Sequence, residues 1–272
     1  MTFACGRNLT ALLAAVLLIF VARASAQSPS ESHARVELIA DQAAAAPGKP
    51  LWIGLLFHLD PGWHIYWQNP GDSGEPPRVA WQLPPGFSAG AIRWPQPVRL
   101  VDGTVVDYGY EKQVLLMAPI EAGQTHAPTM PNISADVKYI VCREICIPGK
   151  AHLTLAVPSA GDAARWRALF EETRQQLPKP APAAWKVSAE SKGAQFVLSV
   201  RGARQVRSAS FFPLDAVQID NSSHQDFAPM AGGFRLTMKK SDLLVKPVAT
   251  LRGLIILAPG RAYEVSAPVV AR

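Results

Sequence analysis

Cys142 and Cys146 stand four positions apart in the stretch Val137-Lys138-Tyr139-Ile140-Val141-Cys142-Arg143-Glu144-Ile145-Cys146-Ile147-Pro148. Two thiols can close a disulfide, exchange it with a partner, or supply part of a metal site. A disulfide needs Cα atoms about 4.4–6.8 Å apart, whereas four residues of extended strand span about 13 Å. A bonded pair therefore requires the chain to reverse between the sulfurs. Pro148 disfavours helical backbone at Ile147, so a tight turn at Arg143-Glu144-Ile145 is predicted, with the sulfurs on neighbouring strands.

Closing so short a loop adds only about 2 kcal/mol through chain entropy. Staples matter most in domains too small to build a core. The residues alone leave two readings open, a passive disulfide and a working redox pair. Two thiolates make half of a tetrahedral metal set. His152 is the nearest histidine and no Cys or His cluster adjoins, so neither a metal nor another cofactor is expected. The thioredoxin arrangement is Cys-x-x-Cys at a helix start. Here the spacing is one residue longer and a strand precedes it.

The elements that must position the pair begin with an export signal. Residues 1–26 hold Arg7, an apolar run from Leu9 to Val21, and Ala24-Ser25-Ala26 as a cleavage site. Cys5 leaves with that segment. The run is short for a membrane span, which takes about 20 residues, and the later run Leu254–Ala258 is only strand-length. Export to the periplasm places the two remaining thiols where disulfides persist. The net charge of +6 falls to +4 without Arg7 and Arg23 and shows no basic block, which gives nucleic-acid binding no support.

Short alternating strands fill the chain up to Val157: Arg35–Ala40, Leu51–Leu59, Trp63–Trp67, Val79–Trp81, Ala91–Trp94, Gln113–Ala118, Ala135–Val141 and Ala151–Val157. Gly161–Leu177 breaks the pattern, with Ala163, Trp166, Leu169, Phe170 and Thr173 at helical spacing. Pro178-Lys179-Pro180-Ala181-Pro182 follows as a stiff linker. Strand patterns resume at Trp185–Ser188, Phe196–Val200, Ala209–Phe212, Phe234–Met238, Val245–Ile256 and Tyr263–Ala267. The expected fold is all-β. Two immunoglobulin-like β-sandwiches, at 27–160 and 184–272, are joined by an amphipathic helix and Pro-rich linker at 161–183. The helix face is expected to pack on a sandwich. The second sandwich carries no cysteine and reads as support or docking. Asn221-Ser222-Ser223 fits a glycosylation pattern that is common by chance.

Three stretches together carry a family resemblance: Pro61-Gly62-Trp63-His64-Ile65-Tyr66-Trp67-Gln68-Asn69-Pro70-Gly71-Asp72-Ser73-Gly74, Tyr108-Gly109-Tyr110-Glu111, and Val141–Pro148. In this order, over about residues 33–158, the sequence resembles the periplasmic N-terminal domain of the DsbD thiol:disulfide interchange family, in its ScsB-like branch. Phe211-Phe212-Pro213 and Tyr263-Glu264-Val265 resemble the second N-terminal domain of that branch. The resemblance implies an immunoglobulin-like domain whose pair, Cys142 and Cys146, is a reversible redox centre, with Cys146 facing the partner. It implies His64 and Tyr66 as neighbours of the cysteines. A cap loop over the pair is expected at Val101–Tyr110, with Tyr108 and Tyr110 lying across it.

The implied activity is of the protein-disulfide reductase type, a relay with thioredoxin-like periplasmic proteins as partners. Family members continue into membrane and thioredoxin domains, and this sequence stops at Arg272. A separately encoded membrane thiol reductase is therefore the expected electron donor. The competing reading is a non-catalytic binding or accessory module with a structural disulfide, linked to copper tolerance or cytochrome c maturation.

Overall fold

Alternating apolar residues build the first half of the chain into two facing sheets. In β2 (Leu51–Leu59), Leu51, Ile53, Leu55, Phe57 and Leu59 face the core. This strand lies between β1 (Ala34–Ala40) and β8 (Gln113–Ala122), and β8 carries the short β5 (Phe87–Ala89) on its other side. The facing sheet runs in the order β10 (Cys146–Leu155), β9 (Ile133–Cys142), β3 (His64–Gly71), β7 (Val105–Glu111), β6 (Val98–Asp102). A further strand, β4 (Arg78–Gln82), pairs with β9 at Ser134–Lys138, below the two positions where β3 pairs with it. Trp63, Ile65, Trp67, Tyr139 and Val141 fill the space between the sheets. The coordinates are a computed structural model describing residues 32–42, 50–122, 132–155, 160–258 and 260–271. The export signal and Cys5 lie outside the described residues.

The helix α1 (Ala160–Gln176) covers the outer face of the first sheet. Phe170 is buried against Ile39, Leu56, Leu115 and Met117, and Trp166 and Leu169 flank it. Gly54 makes the approach possible, since a Cβ there would stand 2.4 Å from Leu115 Cδ1 and 3.1 Å from Phe170 Cζ. At the end of the helix Arg174 donates to the buried Asp41 at 2.5 Å.

The second sandwich is one continuous path of strands: β14 (Ala209–Pro213), β17 (Thr250–Leu257), β18 (Arg261–Ala271), β12 (Lys186–Lys192), β13 (Gln195–Arg201), β16 (Gly233–Lys239) and β15 (Asp226–Met230). The long β18 pairs with β17 along most of its length and with β12 at its end, so it belongs to both layers. Phe196, Leu198, Phe211, Phe234, Leu236 and Ile255 form its core.

Two expectations need correction. Ala91–Trp94 is not a strand and makes one isolated bridge, Arg93 to Met117. Pro95 and Pro97 follow it and offer no N–H for a ladder. Val245 is exposed and the strand begins at Thr250, beyond Pro247. The proline-rich segment pairs with the second sandwich. Lys179–Pro180 forms β11, parallel to β18 at Tyr263–Glu264, and Ala181 N–H donates to Glu264 O. His33–Arg272 is one compact unit. Phe212, Leu254 and Ala262 of the second sandwich join the core cluster of the first. Phe212 lies 4.6 Å from the Tyr108 ring, and Asn69 Nδ2 donates to Pro213 O at 2.7 Å.

Candidate functional site: a disulfide on the outer sheet face

Period-two alternation decides which side chains reach the outside of the β9–β3–β7 sheet. On β3, Ile65 and Trp67 face the core, so His64 and Tyr66 face away from it. On β9, Ala135, Val137, Tyr139 and Val141 are core residues, which turns Cys142 outward. On β7, Tyr108 and Tyr110 are core residues, which turns Asp107 outward. The register sets His64 opposite both Cys142 and Glu111, and Tyr66 opposite Gly109. Cys142, His64, Tyr66 and Asp107 thus share one surface.

The chain reverses at Arg143–Ile145, with Arg143 N–H donating to Ile145 O, and Cys146 pairs with Cys142 at the start of β10. The sulfurs are bonded at 2.06 Å, with Cα atoms 4.2 Å apart. Pro148 and Gly149 are accommodated because β10 is an edge strand. The two sulfurs have unlike surroundings: Cys142 is 2% exposed, while Cys146 is an exposed residue. The Tyr66 hydroxyl donates to Cys142 Sγ at 2.9 Å and lies 3.5 Å from Cys146 Sγ.

Tyr66 faces outward yet is fully buried, because Asn69–Gly74 folds over it. Two glycines permit the fold. Gly71 has φ 98°, and a Cβ there would lie 2.4 Å from Val106 O. Gly74 has φ 69°, and a Cβ there would enter the Tyr66 ring, 2.1 Å from Cζ. The same loop carries Ser73, whose N–H and Oγ–H donate to Asp107 Oδ1 at 2.8 Å and Oδ2 at 2.7 Å. Tyr66 Oη lies 3.3 Å from Ser73 Oγ. The serine proton is committed to the carboxylate. The single tyrosine proton must therefore serve either Ser73 Oγ or Cys142 Sγ. Burial raises the Tyr66 pKa above its ordinary value; the Ser73 contact opposes this and the Asp107 charge adds to it. The hydroxyl therefore stays a donor at neutral pH.

His64 packs edge-on to Tyr66 at 5.2 Å. Burial lowers its pKa, against the opposing pull of Asp107 and Glu111. Its Nε2 is buried with no hydrogen-bond partner among the described residues. The imidazole is thus held neutral beside the disulfide. A cleft of about 620 Å³ opens over this surface. Arg143 and Glu144 of the turn border one side, and Leu100, Val101, Asp102 and Val105 border the other.

The segment expected as a cap over the disulfide is a β6–β7 hairpin turning at Gly103-Thr104. Its tyrosines do not lie across the sulfurs. The Tyr108 hydroxyl donates to Asn221 Oδ1 at 3.0 Å, and that of Tyr110 donates to Pro95 O at 2.7 Å. Burial drives both phenol pKa values well up. Residues 106, 108 and 110 share a face, so the tyrosines follow Val106 into the core and leave Asp107 to the cleft. Val101 and Val105, both exposed, form the rim instead. The sequence assigns no role to Ser73 or Asp107, although Ser73 lies within a recognised motif and Asp107 alternates with the tyrosines.

Residues 35–158 match the family model described as thiol:disulfide interchange protein DsbD, N-terminal. Among solved structures, the N-terminal periplasmic domain of ScsB from Proteus mirabilis aligns with a TM-score of 0.69 at 20% identity, covering 89% of this chain and 95% of that one. That likeness shows the fold, both sandwiches included. Domains 5–6 of the S-layer protein SbsC (7% identity, covering 87% and 97%) and the periplasmic chaperone SfaE (10%, covering 88% and 100%) align with TM-scores of only 0.21. No curated protein matches the sequence.

Proposed function

We propose that this chain, which carries a DsbD N-terminal-like thiol–disulfide interchange domain, is a periplasmic relay exported by a cleaved signal peptide. In this reading it takes electrons from a separately encoded membrane thiol reductase and passes them to thioredoxin-like periplasmic proteins. The supporting observation is the asymmetry of the pair: Cys146 is exposed, whereas Cys142 is buried with the Tyr66 hydroxyl 2.9 Å from its sulfur.

That asymmetry supports the following roles. A thiolate of the reductase attacks Cys146 Sγ. The Cys142–Cys146 bond breaks, and its electron pair leaves on Cys142 Sγ. The leaving thiolate meets the Tyr66 proton already aimed at it, and a hydrogen bond to a charged acceptor is about twice as strong as one to a neutral acceptor. The second thiol of the reductase resolves the mixed disulfide. Two electrons and two protons have then entered the pair. Onward transfer reverses the geometry. The Cys146 thiolate attacks the partner's disulfide, Cys142 attacks Cys146 Sγ, and the partner leaves as a dithiol while the pair closes again.

Trapping tests the assignment. In Cys142→Ala the exposed thiol persists and the resolving thiol is gone, so a partner accumulates as a mixed disulfide that reductant releases. Cys146→Ala leaves only the buried sulfur and traps far less. Equal trapping by both variants would refute the roles. A reduction potential well below about −300 mV would mark the bond as structural and remove the relay.

A further inference from the structure

The loop over Tyr66 and the β6–β7 hairpin are both gripped from the second sandwich, and one residue makes the grip. Asn221 lies between β14 and β15 and is 7% exposed. Its Nδ2 donates to Asp72 Oδ1 at 2.8 Å, and its Oδ1 accepts from Tyr108 Oη at 3.0 Å. Its backbone carbonyl accepts from Arg99 at 2.8 Å. The other oxygen of Asp72 accepts Val106 N–H at 2.8 Å. Asp72 thus bridges the loop over Tyr66 and the strand that carries Asp107, and Asn221 saturates the bridge. The turn bearing Asn221 is itself fixed, because Asp220 accepts from Ser222, Ser223 and Lys239. Both ends of the Asn221 amide are engaged, so a glycan on it would have to break these bonds.

We infer that Asn221 is a positioning residue for the disulfide. By holding Asp72 against Val106 it keeps the loop Asn69–Gly74 closed over Tyr66, which shields the proton aimed at Cys142 Sγ from water. The second sandwich thereby sets the reactivity of a pair to which it contributes no atom. The inference rests on the exchange reading for its biological use, but the potential it predicts is measurable either way. Loosening the loop admits water, which competes as an acceptor for the tyrosine proton. The Cys142 thiolate then loses a charge-assisted donor, its pKa rises, and the disulfide is favoured over the dithiol.

The test uses the full chain. Asn221→Asp sets a carboxylate against that of Asp72, and Asn221→Ser removes the amide without adding charge. The swap Asp72→Asn/Asn221→Asp restores every bond with donor and acceptor exchanged. The new amide donates to the new carboxylate and still accepts Val106 N–H, and the carboxylate still accepts from Tyr108. Thiolate absorbance against pH and equilibration with glutathione are read for each, with Tyr66→Phe as reference. Both single variants are expected to raise the thiol titration and shift the equilibrium about three- to tenfold toward the disulfide, in the same direction as Tyr66→Phe. The swap is expected to return within about twofold of wild type, given the near-equivalence of the exchanged bonds. Wild-type titration and equilibrium in Asn221→Ser would overturn the inference. So would a swap that melts like wild type yet keeps the shift. The wild-type potential itself judges the relay, whereas the differences among variants judge Asn221.

Discussion

The two sandwiches use the same architecture to different ends. In the second, the outer face of β12, β13 and β16 presents Glu190, Lys192, Gln195, Ser199, Arg235 and Thr237, an ordinary solvated surface. In the first, the outer face of β9, β3 and β7 presents a disulfide, a buried tyrosine and a carboxylate linked through Ser73 by hydrogen bonds, with a neutral histidine packed beside them. Fold alone does not separate them. The difference comes from Asn69–Gly74, which seals Tyr66 from water, and from the β6–β7 hairpin, which raises one wall. The first sheet face differs because a loop excludes water from a donor that already points at a sulfur.

The largest break in that comparison should come from the contact between the sandwiches. Phe212→Ala removes the ring packed on Tyr108 and should cost about 3–5 kcal/mol of stability. A melt that barely moves would show the sandwiches to be energetically separate. A smaller effect is expected from reducing the disulfide. The loop is so short that its loss should cost only about 2 kcal/mol. The reduced protein should keep one cooperative melt at a lower midpoint. Loss of the transition on reduction would make the bond structural and the two sandwiches unlike in stability as well as in chemistry.

The smallest effect concerns His64. Its folded pKa lies below the ordinary 6.5 because burial disfavours the charged ring. The unfolded chain therefore binds more protons than the folded one just below pH 6.5, and stability is lost as pH falls through that window. Asp220, held below the ordinary carboxylate value of 3.8, loses its contribution only at lower pH. Chemical denaturation between pH 7 and 5 should show the decline in wild type and a flatter profile in His64→Gln. Parallel profiles would mean that the imidazole is solvated in solution.

Much of this was legible in the sequence. Ala135–Val141 reads as a strand because apolar residues alternate along it, and the helix over the first sheet reads from the spacing of Ala163, Phe170 and Thr173. Both are local periodicities, and local sequence carries them. The cysteine turn follows from chain geometry, since no extended path brings two sulfurs four residues apart into bonding range. The alternation also places Tyr108 and Tyr110 on one face and Asp107 on the other. Which of those faces meets the core is settled only when the second sandwich puts Phe212 against Tyr108. The bond from Asn221 to Asp72 spans 149 residues, and no local pattern encodes a contact between two turns on different sandwiches. The sequence thus determined the strands, the helix and the reactive pair, because these depend on neighbours along the chain. Tertiary structure alone decided that Tyr108 and Tyr110 turn away from the sulfurs, because that depends on which surfaces pack.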